Sequence, residues 1–347
     1  MATLREVAAR AGVSVSTVSR VVRADPTLVI RPETRRRVLD AAEAVRYRPN
    51  LNAAALRTRR SKTIALFLPE PQNPGWAPMI AAIQEAAALA DYLVAVADVR
   101  GAAIDPDVFA RYALESRVDG VLLATGLLDD ELVAVLADRG LPLLPVGSRY
   151  QRVDASVTMA DAAGSKLGVD HLVALGHRNI AFVGGFSETD IIIRREAGYR
   201  DAMRCHQLDI DERWIVGGPA EVDGESWSRG AAPRLLELPP DVRPTGVITA
   251  NLVMALGLRT AAANARLRVP GDLSVVTFDD HPIERHLDPP LTAIDMPMAA
   301  LGTTAMTMLL GAIEGESMRH VVLPDEPRLV LRASTLAPGR PGYGRLP

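Results

Sequence analysis

At 347 residues the chain is too long for one ordinary core and predicts two or three domains, and its 48% of apolar residues is enough to fill them. Its formal charge of −3 conceals an uneven split: residues 1–62 hold 14 Lys and Arg against 5 Asp and Glu, a net of +9, which leaves 25 against 37, a net of −12, for the rest. A basic head on an acidic body is the electrostatic footprint of a nucleic-acid binder, while a single cysteine, Cys205, no apolar run as long as a membrane span and no signal-peptide core argue for a cytoplasmic protein with neither a disulfide framework nor a membrane partner.

The first stretch, Met1 to Val22, reads as two short helices joined by a tight turn. Thr3 and Glu6 have capping-box spacing, and Leu4, Val7 and Ala8 repeat at helical spacing. Gly12 suits the left-handed residue that ends a helix, and Ser14 can cap the next one, which carries Val18, Val21 and Val22 as its apolar positions. Helix, glycine turn, helix is the unit whose second helix enters the major groove. Its exposed start, Val15, Ser16 and Thr17, can approach base edges, and Arg20 one turn on can make a bidentate contact to guanine. Thr3 and Ser14, at the two helix starts, join them as candidate DNA contacts. A third helix is expected over Glu33–Arg46, with Pro32 at its first position. Arg35, Arg36, Arg37, Arg46 and Arg48 can meet phosphates, although three consecutive residues cannot all face the DNA. Residues 50–62 form a linker in which Asn50 can cap a short helix over Asn52–Arg57, one that is marginal in water by itself.

From Thr63 strands and helices alternate. Strands are expected at Ile64–Leu68, Leu93–Ala97, Gly120–Ala124, Leu141–Val146, Ile180–Gly184, Gly246–Ala250 and Ser274–Phe278, most of them short apolar runs suited to burial on both faces. Helices are expected between them, among them Asp107–Glu115, Asp161–Leu175, Arg195–His206 and Leu252–Asn264. The fold class is therefore α/β: a helix-turn-helix headpiece followed by doubly wound parallel sheets with right-handed crossovers. Ligands of such sheets sit beyond the carboxyl ends of the strands. Asn73 and Trp76 follow the first strand, Arg149 the fourth, Arg195 the fifth, Asn251 the sixth, and Asp279 and Asp280 the seventh. Arg donates in a fixed fork, Asp accepts from hydroxyls and Asn does both, a set suited to a polyhydroxylated ligand.

The segments TLREVAARAGVSVSTVSRVV, TRRRVLDAAEAVRYRPN and AAALRTRRSKTIAL resemble the LacI/GalR family of bacterial transcription regulators. Further matches follow in the family's order, at LGVDHLVALGHRNIAFVGG, RREAGYRDAM, ANLVMALG, LSVVTFDD and PPLTAI, so the resemblance runs from Thr3 to about Thr335. It implies a headpiece over 1–49, a hinge helix over 50–62 and a two-lobed, periplasmic-binding-protein-like body over 63–335 that binds effector and dimerises. The first lobe is expected over 63–158 plus 289–322 and the second over 159–288 plus 328–334. The chain is expected to cross between lobes near Ser156–Asp161, Thr277–His286 and Leu291–Pro297. A Pro- and Gly-rich tail over 336–347 is expected to be disordered. The resemblance places Asn50, Ala53 and Leu56 on the hinge that meets DNA, with Leu56 as the wedge that unstacks a minor-groove step. It places Arg195, Asn251 and Asp279 at the effector, joined by Asn73, Trp76, Arg149 and Asp161. Three departures stand out: Arg31 replaces the usual Ser or Thr cap, the loop before it is about two residues longer, and Leu252 replaces the Asp that usually follows Asn251.

The resemblance implies a sequence-specific regulator that acts on double-stranded operator DNA as a homodimer, a repressor whose DNA affinity a sugar-like or nucleoside-like effector modulates. Two other readings stay open: a regulator that ignores small molecules, which Leu252 keeps open, and a sugar-binding transport protein, which the basic head opposes. An enzyme is not expected. The sequence carries no Cys/His metal spacing, no G-x-S-x-G elbow and no phosphate-binding glycine fingerprint, and no cofactor or metal is expected. His177, in GHRNIA, reads as structural, and Trp227 is a further residue that could face the cleft.

Overall fold

A computed structural model describes residues 2–22, 25, 27–47, 60–99, 118–128, 130–138, 140–186, 189–218 and 232–339. The chain divides into two compact units, Met1–Ser61 and Lys62–Pro347. The hinge positions Asn50, Ala53 and Leu56, the phosphate candidate Arg48, the expected helix Asp107–Glu115 and Trp227 lie outside the described residues.

The first unit holds three helices, α1 (Leu4–Ala11), α2 (Val15–Val22) and α3 (Pro32–Ala44). Thr3 and Glu6 form the capping box, each side chain accepting from the other's backbone N–H at 3.3 and 3.1 Å. Gly12 takes φ 62°, which turns the chain sharply into α2. Val7, Ala8 and Ala11 of α1, Val18 and Val21 of α2, and Val38 and Ala41 of α3 close one small core. The third helix begins at Pro32 and ends two residues before the expected Arg46, because Arg46 adopts φ 50° and the Tyr47 N–H turns back to the Ala42 carbonyl. Arg31 makes no side-chain cap, as its chemistry dictates. Arg37 Nε donates to the Ala11 carbonyl at 2.8 Å, so this arginine closes the end of α1.

The second unit is a pair of α/β lobes. The first sheet runs in the order β2 (Leu93–Asp98), β1 (Thr63–Leu68), β3 (Gly120–Leu123), β4 (Leu143–Pro145), all parallel. A bridge from Val146 to Val157 adds β5 (Ser156–Thr158), which pairs with β11 (His320–Val322). The second sheet has the order β12 (Arg328–Val330), β10 (Thr292–Asp295), β9 (Ser274–Phe278), β8 (Gly246–Thr249), β6 (Ile180–Phe186), β7 (Ile215–Gly218), parallel except at β12. Strands β1, β3, β8 and β9 are buried almost throughout, as sheets covered on both faces require. Four further helices matter for the site. In the first lobe α4 (Ala77–Leu89) packs on the late helix Met298–Ile313. In the second, Asp161–Ala174 packs on Asp190–Cys205 so closely that a Cβ on Gly198 would collide with the backbone of Ala162.

The lobe boundaries differ from expectation. Thr292–Asp295, expected in the first lobe, pairs with β9 and β12, because Leu291, Ala293 and Ile294 are apolar on both faces and fill the second sheet. The chain therefore crosses between lobes at 158–161, 295–298 and 322–328, and residues 279–291 link two strands of one sheet instead of crossing. Strands β5, β7, β10 and β11 were not expected: each is short, and Ser156, Thr158, Gly217, Gly218, Thr292, Asp295 or His320 interrupts it, so no apolar run marks it. The tail is anchored at its start. Leu336 donates to Ser274 Oγ at 2.9 Å, and its carbonyl faces His177 Nε2 at 2.9 Å. Burial pushes the His177 imidazole down to about 4, and its Nδ1 meets Thr245 Oγ1 at 2.8 Å, so this histidine is a neutral brace.

Candidate functional site

Each unit carries a candidate surface. In the head, α2 buries Val18 and Val21 and leaves Ser14, Val15 and Ser16 exposed, with Thr17 and Arg20 half-buried beside them. Ser14 Oγ caps α2, accepting from the Thr17 N–H at 3.0 Å, and lies 2.8 Å from Thr17 Oγ1. Thr3 and Ser14 are thus helix caps first, and each spends its side chain locally. Arg20 is held by the loop that follows. Its Nε donates to Asp25 Oδ2 at 2.8 Å and its Nη2 to Thr27 Oγ1 at 3.0 Å. Hydrogen bonds from Thr27, then the Arg20 guanidinium, hold the Asp25 carboxyl down to about 2. The sequence reading missed Asp25 and Thr27, although Asp-Pro-Thr is a turn signal that could have marked them.

In the body a cavity of about 830 Å³, counting its open mouth, lies between the carboxyl ends of the two sheets. Asn73, Trp76, Arg195, Asn251 and Asp279 all line it, from four separate strand ends. Arg195 is its most constrained side chain. Buried to 4% side-chain exposure, it donates through Nε to Asp161 Oδ1 at 2.9 Å and through Nη1 to the Ala250 carbonyl at 2.6 Å, over the Phe278 ring at 4.0 Å. Its Nη2 points toward Asp279 Oδ1 at 4.0 Å. That oxygen is buried without a hydrogen-bond partner. Burial pushes Asp279 up to about 6 against the pull of Arg195. Asp279 also stands at φ 69°, in the left-handed region, with its N–H tied to the Ile294 carbonyl. A hydroxyl placed there can accept from Arg195 and donate to Asp279.

The other expected residues sort differently. Asn73 and Asn251 spend their Oδ1 atoms on the Gly75 and Met254 N–H groups at 3.1 and 2.9 Å, which leaves their amide N–H donors. Trp76 anchors its indole N–H on the Pro69 carbonyl at 2.9 Å. Asp161 lies behind the cavity, fully buried between Arg194 and Arg195. Arg149 is exposed and outside the lining, its backbone N–H bound to Asp190. Asp280 faces Arg332 at 2.5 Å. Leu252 sits in the apolar core behind β8, 1% exposed. The sequence reading missed the apolar wall, which includes Met159, Ile191, Ile192, Met254, Met298 and Leu301. No motif marks it, since apolar residues at helix starts look like core. It also missed Arg194, which joins the lobes by donating to Asp161, Asp190 and the Gly147 carbonyl.

Residues 3–50 match the model of bacterial regulatory proteins of the lacI family, and residues 169–335 match the periplasmic binding protein-like domain. The HTH-type transcriptional repressor PurR of Erwinia tasmaniensis is 31% identical over 337 residues, 96% of this chain and 97% of that protein. The chain belongs to the LacI family. Family membership makes it a DNA-binding transcriptional regulator, with a helix-turn-helix head and a periplasmic-binding-protein-like body. Among solved LacI-family structures, the Lac repressor dimer bound to operator and the anti-inducer ONPF is 30% identical and covers 97% of this chain and 99% of its own, with a TM-score of 0.81. The transcriptional regulator CelR in complex with cellobiose is 29% identical and covers 96% and 100%, with a TM-score of 0.71. Among the described residues of this LacI-family chain, no helix is long and apolar enough to cross a membrane and no cluster of metal-ligating side chains forms.

Proposed function

We propose that this LacI-family chain is a cytoplasmic repressor that binds a pseudo-palindromic operator as a homodimer, and that a small polyhydroxylated molecule in the interlobe cavity sets its DNA affinity. The observation that carries the effector reading is Arg195 with Asp279: a fixed donor and a buried, unpartnered acceptor oxygen side by side on the cavity floor. Asn73 and Asn251 supply further donors, and Asp161 orients Arg195. The apolar wall and the Trp76 face favour a ligand with one apolar side, a sugar with an aglycone or a nucleoside. The Lac repressor and CelR structures, solved with ONPF and cellobiose, support a ligand of that class.

In the head, Val15, Ser16, Thr17 and Arg20 read base edges while Thr3 and Ser14 hold the helix starts that face phosphate. Asn50, Ala53 and Leu56 form the hinge that enters the minor groove. Effector and DNA affect each other's affinity by the same factor. Selection of bound duplexes from a random pool at near-physiological salt tests this reading. A palindromic consensus that changes affinity with a sugar and nucleoside panel supports it; a consensus indifferent to every ligand leaves only the DNA-binding part. Leu56→Ala is expected to lose specific affinity and bend the selected duplex less, and unchanged bending would remove the wedge.

A further inference from the structure

Arg20 is the one long cation on the exposed face of α2, and the structure fixes how its five N–H donors are divided. Nε–H and one Nη2–H form the side-on edge of the guanidinium, and both are spent, on Asp25 Oδ2 and Thr27 Oγ1. Thr27 Oγ1 in turn donates to Asp25 Oδ1 at 2.7 Å, and the Thr27 N–H donates to the same oxygen at 2.8 Å. The Asp25 N–H returns to the Arg20 carbonyl at 3.0 Å. Backbone and side chain of Arg20 are therefore both tied to one loop residue. What stays free is the end-on edge, Nη1 with the outer N–H of Nη2, two parallel donors of the kind that match guanine O6 and N7.

We infer that Asp25 and Thr27 are specificity-determining positioning residues: they brace the side-on edge of Arg20 so that its end-on edge is presented to a guanine in each half-site. The inference rests on the reading of Arg20 as the base-contacting arginine. A free arginine side chain samples many rotamers and must be immobilised on binding, and a braced one has already lost that freedom. Asp25 sets a partly exposed negative charge against the one cation of α2, so its charge opposes general attraction to DNA phosphates while it favours one base. The brace should therefore raise discrimination and lower non-specific binding, an opposition that a residue serving only the fold would not produce.

The test uses full-length protein and the duplex selected from a random pool, with the three other base pairs placed in turn at each half-site position, read by fluorescence anisotropy at fixed salt. Asp25→Ala and Thr27→Val are expected to reduce discrimination at a single base-pair position about ten-fold, and at the same position as Arg20→Ala. Asp25→Ala should also bind a scrambled duplex more tightly, with a steeper salt dependence. The double variant Arg20→Ala with Asp25→Ala should lose no more discrimination than Arg20→Ala alone. If Arg20→Ala removes the preference while Asp25→Ala and Thr27→Val keep it, the brace is wrong and the reading of Arg20 stands. If Arg20→Ala weakens all sequences equally, Arg20 is a phosphate contact and both fall. Thr27→Val retains the Asp25 carboxylate, so a misfolded Asp25→Ala head, seen as lost helical circular dichroism, still leaves the inference open to refutation.

Discussion

Arg20 in the head and Arg195 in the body are the two arginines around which the candidate surfaces are built, and their partners differ in kind. Arg20 is 43% exposed and draws its partners from five and seven residues along the chain. Arg195 is 4% exposed and draws on Asp161 and Ala250, 34 and 55 residues away. The first is a local device in water, where an ion pair contributes little to stability and serves mainly orientation. The second is a buried charge whose position depends on the whole second lobe, and where a lost partner is expensive.

That contrast can be broken most severely at Arg195. Arg195→Ala leaves Asp161 with Arg194 alone and Asp279 with no cation, and is expected to destabilise the protein by about 3–5 kcal/mol in thermal denaturation, whereas Arg20→Ala should leave Tm almost unchanged. Equal losses would show that burial does not separate the two. The helix crossing behind Arg195 offers the next largest effect. Gly198→Ala drives a methyl group into the Ala162 backbone and is expected to cost about 3 kcal/mol, measured by denaturant unfolding.

Asp279→Asn works in the opposite direction. Folding raises the Asp279 pKa from 3.8 to about 6, so the folded state holds the proton more tightly and stability falls as pH rises between about 4 and 6. The amide removes that penalty. The variant should be about 2 kcal/mol more stable than the parent at pH 7.5 and no more stable at pH 4, at the expense of effector response. A variant equally stable at both pH values would deny the buried charge. The smallest effect lies in the head, where Thr3→Ala removes half of the capping box at the start of α1 and is expected to cost about 1 kcal/mol, read as a lowered melting temperature of the headpiece transition.

The head was legible because its signals are close together. Thr3, Glu6, Gly12 and Ser14 do in the structure what their spacing dictates, and Pro32 starts α3. What escaped was the use of Arg37 as a helix-end donor and of Asp25 as a brace, both set by how the loop folds back. In the body seven strands were visible because each lies in an apolar run. Four others, broken up by polar or glycine residues, were not, and so Thr292–Asp295 was assigned to the wrong lobe. Five of the seven cleft candidates reach one cavity because strand ends in an open α/β sheet converge, a rule that needs only strand positions. Arg149 and Asp161 follow β4 and β5, but Gly147, Ser148 and Met159 take the lining there, while Arg149 faces solvent and Asp161 turns to Arg194 and Arg195.

The class of protein follows from local spacing and charge: a capped helix-turn-helix with a net charge of +9 over residues 1–62, joined to an acidic, doubly wound body. Which atoms of the functional side chains are free is set by contacts that form on folding. Asn73 and Asn251 lose an oxygen to helix starts, Arg195 keeps one nitrogen for the cavity, Asp279 keeps one buried oxygen, and Leu252 turns into the core. Spacing along the chain can place a residue near a site, but the partners that consume its donors and acceptors come from segments tens of residues away, and folding alone brings those together.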